Sequence, residues 1–128
     1  MEITFSEKEQ AFYDEVEEFI QKEVPSDWYT KPVTWPGDYS SSGYGEQENY
    51  ETIAKVRKKM IEKGWLTIAW PKEYGGMAAS NMDQAILDER LSYYKVPAAD
   101  VLAAGIVAPT ILRVGTDEQK SEWIPKIA

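Results

Sequence analysis

The spacing of apolar residues constrains this chain most, because it follows the period of an α-helix along most of the length. The first apolar stripe consists of Phe12, Val16, Phe19 and Ile20. Intervals of three and four place these side chains on one face of a helix. Ser6-Glu7-Lys8-Glu9 has the pattern of a capping box and predicts where this helix begins. Pro25 predicts its end, since the residue before a proline is pushed out of the α region.

Four further helices follow from the same reasoning. We predict a second helix from about Asn49 to Lys63, a third capped by Ser80 or Asn81, and a fourth from Val101 to Val114. Thr116-Asp117-Glu118-Gln119 is another capping box and starts a fifth. The candidate core residues of the second and third helices are Ile53, Val56, Met60, Ile61, Ala85, Ile86 and Leu91. The chain is therefore predicted to be an all-α bundle of about five helices.

Between the second and third helices the pattern changes. Gly64 is placed to end the second helix as a residue with positive φ. The run from Trp65 to Trp70 is short, apolar and closed by Pro71, which favours a buried extended segment. The pair Gly75-Gly76 predicts a turn.

The predicted fourth helix differs in kind from the others. It has no charged residue from Val101 through Leu112, so we expect it to be central and surrounded by protein. Gly105 and its neighbouring alanines would allow close approach of another element or a ligand, and Pro109 predicts a kink. Composition leaves two interpretations open, a plain core helix or the wall of an apolar pocket.

Residues 26–48 form a long loop between the first two helices. It is rich in Ser, Gly and Pro and carries the aromatic residues Trp28, Tyr29, Trp35, Tyr39 and Tyr44. Disordered segments are usually poor in aromatic residues, so we expect this loop to pack partly against other structure.

The composition excludes several classes of function. The 128 residues suggest one domain, and they include no Cys and no His. Disulfides, thiol nucleophiles, zinc–thiolate sites and histidine-based metal or acid–base sites are therefore not expected. A net charge of -8 opposes binding to nucleic acid or an anionic membrane. Without a targeting signal or membrane span, a cytoplasmic location is the default expectation.

Three motifs in order resemble those of one enzyme family. Gly64-Trp65-Leu66 followed by Pro71-Lys72-Glu73-Tyr74-Gly75-Gly76 resembles a segment of the acyl-CoA dehydrogenases. The stretch from Gly115 to Lys120, together with Trp123-Ile124-Pro125-Lys126-Ile127-Ala128, is similar to a second signature of that family. The opening Phe5-Ser6-Glu7-Lys8-Glu9-Gln10 is similar to its usual first-helix start. The resemblance spans essentially the whole chain.

The resemblance implies a specific chemistry for a full-length parent protein. The family uses FAD to remove two hydrogens from the α and β carbons of an acyl-CoA thioester. An electron-transfer flavoprotein usually reoxidises the flavin, and the enzymes are usually homotetramers or homodimers. Their subunits have a helical N-terminal domain, a middle β-domain and a C-terminal helical domain, and residues 1–128 resemble only the first. The middle domain would begin just after Ile127-Ala128.

By the same resemblance, this domain supplies part of the acyl-pocket wall. Leu102, Ala103 and Ile106 fall where cavity-lining residues of the family would lie. No catalytic, cofactor-binding or metal-binding residue is expected in residues 1–128, because the catalytic Glu and most flavin contacts belong to the other two domains. The chain alone is accordingly predicted to be folded and inactive.

Two other classes of function stay open on the sequence. The chain could be a free-standing helical module that binds a protein partner through its aromatic loop. It could also be a carrier of small apolar ligands built around the fourth helix.

Overall fold

The computed structural model describes residues 4–30, 47–96 and 102–127, and within these ranges the chain is all-α. The five α-helices are α1 (Glu7–Glu23), α2 (Gln47–Glu62), α3 (Asn81–Tyr93), α4 (Ala108–Val114) and α5 (Asp117–Ile127). Short 3₁₀ turns occupy Trp28–Thr30, Trp65–Thr67 and Lys72–Tyr74, and a π-helical turn spans Ala103–Val107. The predicted all-α architecture with five helices is confirmed.

The predicted helix starts are confirmed by their caps. The Ser6 hydroxyl accepts the Glu9 backbone N–H at 3.3 Å, and the Glu9 carboxylate accepts the Ser6 N–H at 2.7 Å. Ser80 forms the same reciprocal pair with Asp83 at the start of α3. At the start of α5, Thr116 forms it with Gln119. Each cap satisfies backbone donors that the first helical turn leaves without intrahelical partners.

The main core lies between α1, α2 and α3. Its buried members are Val16, Phe19, Ile20, Val56, Met60, Trp65, Ile68, Leu87, Leu91 and Val96. Trp65 is placed among them by the turn at Gly64, whose φ of 71° lets the chain reverse after α2. The Trp65 ring meets the Phe19 ring edge-on, with centroids 4.9 Å apart.

Two core predictions were wrong. Ile61 is 55% exposed, and Ala85 on α3 is also exposed. The buried stripe of α2 runs through Ile53, Val56 and Met60, and a residue next to Met60 lies about 100° round the helix from it. Ile61 therefore falls outside the stripe.

The run from Trp65 to Trp70 forms a 3₁₀ turn followed by a further turn rather than an extended segment, so that prediction was also wrong. It begins with a 3₁₀ turn, and the Trp70 N–H donates to the Thr67 carbonyl at 2.9 Å. A short apolar run does not distinguish a strand from a buried helical turn by its period. The following chain folds back tightly, since a Cβ at Gly76 would lie 2.0 Å from the Trp70 carbonyl oxygen.

Charged pairs connect the three core helices. Lys59 on α2 pairs with Glu23 on α1, and Lys63 pairs with Glu15 at 2.6 Å. Arg90 on α3 donates to Glu17 at 2.9 Å and to the Tyr13 hydroxyl at 2.8 Å. The Glu17 carboxylate also accepts the Tyr94 hydroxyl at 2.9 Å.

Most of the loop predicted at residues 26–48 lies outside the described residues. In its described part, Trp28 is buried against Ile53 and Val24. The Trp28 indole N–H donates to the Lys95 carbonyl at 3.0 Å, which ties the end of α1 to the end of α3. The sequence-based expectation that this loop packs against other structure is met at Trp28.

A second, smaller core joins α4 and α5. It consists of Trp70, Ala108 and Ile124, with Tyr74, Ala104, Ile111, Leu112 and Ile127 packed around it. The fourth helix is not central in the described part of the chain, in contrast to the position expected for it. Leu102 and Ile106 are 70% and 55% exposed. An uncharged helix is equally compatible with burial and with an apolar surface, and here only one side packs against the domain.

The predicted kink at Pro109 takes the form of a change of helix type. Pro109 lies in the first turn of α4, but the π-helical turn runs directly into that helix, so the missing N–H of Pro109 interrupts a continuous ladder of helical hydrogen bonds. The preceding turn widens to π geometry, and the Val107 N–H donates to the Leu102 carbonyl at 2.9 Å.

Candidate functional site

The three residues predicted to line a pocket lie together at the π-helical turn before α4. Leu102 immediately precedes the turn, and Ala103 and Ile106 lie within it. Leu102 and Ile106 are mostly exposed, whereas Ala103 is half-buried. The Leu102 carbonyl accepts the N–H groups of both Ile106 and Val107, at 3.3 and 2.9 Å. These bonds hold the exposed apolar side chains on one wide turn.

An apolar groove continues from this turn between α4 and α5. Its volume is about 280 Å³, and it is lined by Val107, Thr110, Ile111, Val114, Gly115, Gln119, Trp123 and Ile127. Val107 belongs both to the π-helical turn and to the groove. The turn and the groove are therefore adjacent parts of one apolar surface.

The Thr110 hydroxyl and the Gln119 side-chain oxygen of the groove already have partners. The Thr110 hydroxyl donates to the Ile106 carbonyl at 2.8 Å. The Gln119 side-chain oxygen accepts the Thr116 backbone N–H at 2.9 Å. With these groups engaged, the groove offers mainly hydrocarbon contact, which matches an apolar ligand or an apolar protein surface.

Two side chains of the groove are unusually exposed for their type. Val114 is 75% exposed and Trp123 is 47% exposed. The Lys126 ammonium lies 4.6 Å from the Trp123 ring centroid and pairs with Glu122 at 3.3 Å. Sequence reasoning missed this groove, because the spacing of Trp123 on α5 does not show which neighbouring helix leaves it uncovered.

Groups with a shifted pKa lie elsewhere in the described structure. The side-chain hydrogen bond from Lys59 lowers the pKa of Glu23, and the bond to Arg90 lowers the pKa of Glu89. Burial alone would raise the pKa of Asp83, but hydrogen bonds from the Ser80 N–H and hydroxyl outweigh it and lower that pKa. None of these groups lines the groove, and their shifts arise from a helix cap and ion pairs.

Two further pKa values are shifted upward, also by contacts within the fold. The hydrogen bond to Glu89 is the main cause of a raised pKa at Arg90, with a further contribution from Glu17. The hydrogen bond to Glu17 raises the pKa of Tyr94, because ionisation would place a phenolate beside a carboxylate. These groups join α1 to α3.

The buried polar groups of the described residues are satisfied within the domain, and potential metal ligands do not cluster there. Within them, every buried side-chain nitrogen and oxygen has a hydrogen-bond partner. No cluster of three potential metal ligands occurs in residues 4–30, 47–96 and 102–127. None of the helices in these ranges is both long and apolar enough to cross a membrane.

Comparison with known proteins places this chain in a family. Residues 6–128 match the acyl-CoA dehydrogenase N-terminal domain. The chain is 35% identical over 116 residues to the acyl-CoA dehydrogenase FadE26 of Mycobacterium tuberculosis, which covers 91% of this chain and 29% of that protein.

Two solved structures have a similar fold. One is the ChsE4-ChsE5 complex from Mycobacterium tuberculosis, with a TM-score of 0.66, 32% identity, and coverage of 99% of this chain and 29% of that one. The other is a variant of the Tcur3481-Tcur3483 steroid ACAD, with a TM-score of 0.65, 25% identity, and coverage of 94% and 28%. The chain spans less than a third of the length of each of these relatives. It belongs to the acyl-CoA dehydrogenase family and corresponds to its N-terminal domain.

Proposed function

We propose that this chain is the N-terminal domain of an FAD-dependent acyl-CoA dehydrogenase and forms part of its acyl-binding wall. The observation that carries the proposal is the family match across residues 6–128. In the full enzyme FAD would accept the hydride from the acyl β carbon. The residues that hold FAD and remove the α proton belong to the remainder of the protein.

The proposed wall consists of Leu102, Ala103 and Ile106. Its support is the exposure of Leu102 and Ile106 on the π-helical turn, beside an apolar groove in which the Thr110 hydroxyl and the Gln119 side-chain oxygen are already engaged. Burial of such a surface by an acyl chain would gain roughly 25 cal/mol per Å² of apolar area. The role of these residues is to bind and orient the acyl group, not to transfer protons.

The relatives suggest a substrate class and an assembly. One solved relative is named a steroid ACAD, so we include a steroid-derived acyl-CoA among the candidate substrates. Another is described as a ChsE4-ChsE5 complex, so an assembly of two different chains is a candidate beside the homo-oligomer usual in the family. Electron-transfer flavoprotein as the oxidant and a cytoplasmic location remain predictions.

The experiment that tests this function uses the longest polypeptide encoded by the reading frame that contains this chain. It should be purified with FAD and assayed with acyl-CoAs of increasing length and bulk and an artificial electron acceptor. If no acyl-CoA is turned over by this polypeptide, either alone or together with a second dehydrogenase chain, the proposed activity is wrong. If the reading frame stops at Ala128, the chain is not part of a longer enzyme and the interaction-module interpretation gains support.

Variants of the wall test its assignment separately from the activity. Ala103→Leu and Ile106→Trp should narrow the site and lower kcat/KM for the longest acyl-CoA by about tenfold, the scale of one or two misplaced methylenes. The shortest substrate should be nearly unaffected. Ile61→Trp is a matched control, because Ile61 is equally exposed on α2. Unchanged chain-length preference in both wall variants would show that these residues do not contact the acyl group.

A carrier function is the second candidate, favoured by the apolar groove between α4 and α5. A carrier should bind acyl-CoAs at micromolar concentration without FAD, whereas a single pocket wall should not. Calorimetric titration of the 128-residue chain with short and long acyl-CoAs distinguishes the two. The same preparation should show no dehydrogenase turnover if the chain is only one domain of the enzyme.

A further inference from the structure

The groove between α4 and α5 contains two large apolar side chains that the domain itself leaves uncovered. Val114, the last residue of α4, is 75% exposed, and Trp123 on α5 is 47% exposed. Tryptophan is enriched where one protein surface covers another, because its large ring gains much contact area on burial. With Ile127, which also lines the groove, these residues form what we call the distal end of the groove.

The distal end lies apart from the proposed acyl wall. Val114 follows Ile106 by eight positions in the helical segment formed by the π-helical turn and α4, which corresponds to roughly 12 Å along the axis. Of the residues that line the groove, only Val107 also belongs to the π-helical turn. The groove therefore has a second apolar surface that the acyl wall does not account for.

The comparison with relatives indicates what lies beside the distal end in a longer enzyme. The portion that matches this chain makes up 29% of FadE26 and 29% of the matched chain of the ChsE4-ChsE5 complex. In an enzyme of that length, the polypeptide that follows residue 128 leaves α5 directly after Ile127, at the groove itself. A segment that starts at a surface has a high effective concentration there, because only a short loop must close for it to dock.

We propose that the distal end of the groove is a docking surface for an apolar face of the polypeptide that follows residue 128 in the longer enzyme. Trp123 is the anchor of this surface, and Lys126, which lies over its ring and pairs with Glu122, restrains the ring. Docking here fixes the helical segment that carries the acyl wall relative to the rest of the enzyme. The inference rests on the proposed function and gives the groove a role distinct from acyl binding.

Crosslinking identifies what covers the distal end. In the longest polypeptide, p-benzoylphenylalanine takes the place of Trp123, and the products of illumination are separated on a denaturing gel and mapped by mass spectrometry. A crosslink to a residue beyond 128 is expected, in a product with the mass of one polypeptide. A product of doubled mass would show that a second copy covers the groove. That result, or crosslinks only within residues 1–128 or to added acyl-CoA, would overturn the inference.

Thiol labelling gives a second measurement with a smaller change of side chain. Residues 1–128 contain no Cys, so Val114→Cys introduces a single thiol there, and Ile61→Cys is the control because Ile61 is 55% exposed on α2. In the 128-residue chain both thiols should react readily with iodoacetamide. In the longest polypeptide Val114→Cys should react at least about tenfold more slowly, since only local opening would uncover it. The slow rate should be the same with and without acyl-CoA, and protection that requires acyl-CoA would overturn the inference.

The inference and the proposed function can fail separately. If the longest polypeptide turns over acyl-CoA while Val114→Cys stays reactive, the function stands and the docking surface is wrong. If it turns over none, alone or with a second dehydrogenase chain, but the crosslink beyond residue 128 forms, the docking surface stands and the dehydrogenase function is wrong. A reading frame that stops at Ala128 would contradict both.

Discussion

The two packed regions of this domain use their apolar residues differently. In the region formed by α1, α2 and α3, ten buried side chains form one core, and ion pairs connect the helices across it. In the region formed by the π-helical turn, α4 and α5, the buried core is smaller and consists of Ala108 and Ile124 together with Trp70 from the preceding chain. Leu102, Ile106, Val107, Val114 and Trp123 are large apolar residues that stay exposed.

This difference indicates that one region stabilises the domain and that the other is available for binding. Apolar side chains that are already buried stabilise the domain, whereas exposed ones gain contact energy only when a ligand or another surface covers them. A contiguous apolar surface beside a groove is typical of a binding site. The α1–α3 region is therefore interpreted as the scaffold, and the α4–α5 region as the surface that it presents.

The largest expected contrast comes from truncating one leucine in each region. Leu91 is 1% exposed in the α1–α3 core, and Leu102 is 70% exposed. Leu91→Ala should lower the free energy of unfolding by about 3 kcal/mol, because it removes buried methyl groups and leaves a cavity. Leu102→Ala should change it by less than about 0.5 kcal/mol. Urea unfolding of both variants measures the difference, and similar losses would contradict the division into scaffold and surface.

A smaller effect is expected from acid. Lys59 lowers the pKa of Glu23 below its ordinary value of 4.5, so the folded state holds this carboxylate charged more readily than the unfolded state does. Its contribution to stability is present above pH 4.5 and is lost as the pH falls through the lowered pKa. In the Glu23→Gln variant, the free energy of unfolding should therefore decrease less steeply as the pH falls below 4.5.

The matched control is Glu62→Gln, since Glu62 is exposed near the end of α2. The melting temperatures of the unmodified protein, Glu23→Gln and Glu62→Gln are compared between pH 7 and pH 3. Parallel curves for all three would mean that the Lys59–Glu23 pair does not link α1 to α2 in solution.

The smallest expected effect is a gain in stability at the end of α3. Lys95 has a φ of 55°, a left-handed conformation that is unfavourable for residues with a side chain. Lys95→Gly should stabilise the domain by about 0.5–1 kcal/mol by removing this strain. Lys95→Ala removes the same charge but keeps the strain, so it should not stabilise. A loss of stability in Lys95→Gly, measured by urea unfolding, would contradict the strain at this residue.

Local signals made most of the fold predictable. The caps at Ser6, Ser80 and Thr116 each depend on residues within four positions of one another, and all three are observed. Predictions that depended on tertiary context were less successful. The burial of Ile61 could not be decided from its own helix, because the stripe through Met60 already satisfies the helical period.

The candidate wall residues Leu102, Ala103 and Ile106 follow from the family resemblance alone, and their role stays a prediction. The residues themselves indicated an uncharged helix with small side chains, which is equally consistent with a central core element. The π-helical turn before Pro109 and the exposure of Ile106 depend on which elements pack against α4. The groove beside Trp123 joins two helices, and no spacing within either helix encodes it.

A crystal structure of the longest polypeptide with a bound acyl-CoA substrate analogue tests the central claim most directly. The account predicts acyl carbons within about 4.5 Å of Leu102 and Ile106, the distance of apolar contact. If the acyl group lies elsewhere and these side chains are covered by protein, the α4–α5 surface is an interface between parts of the protein and not a substrate wall.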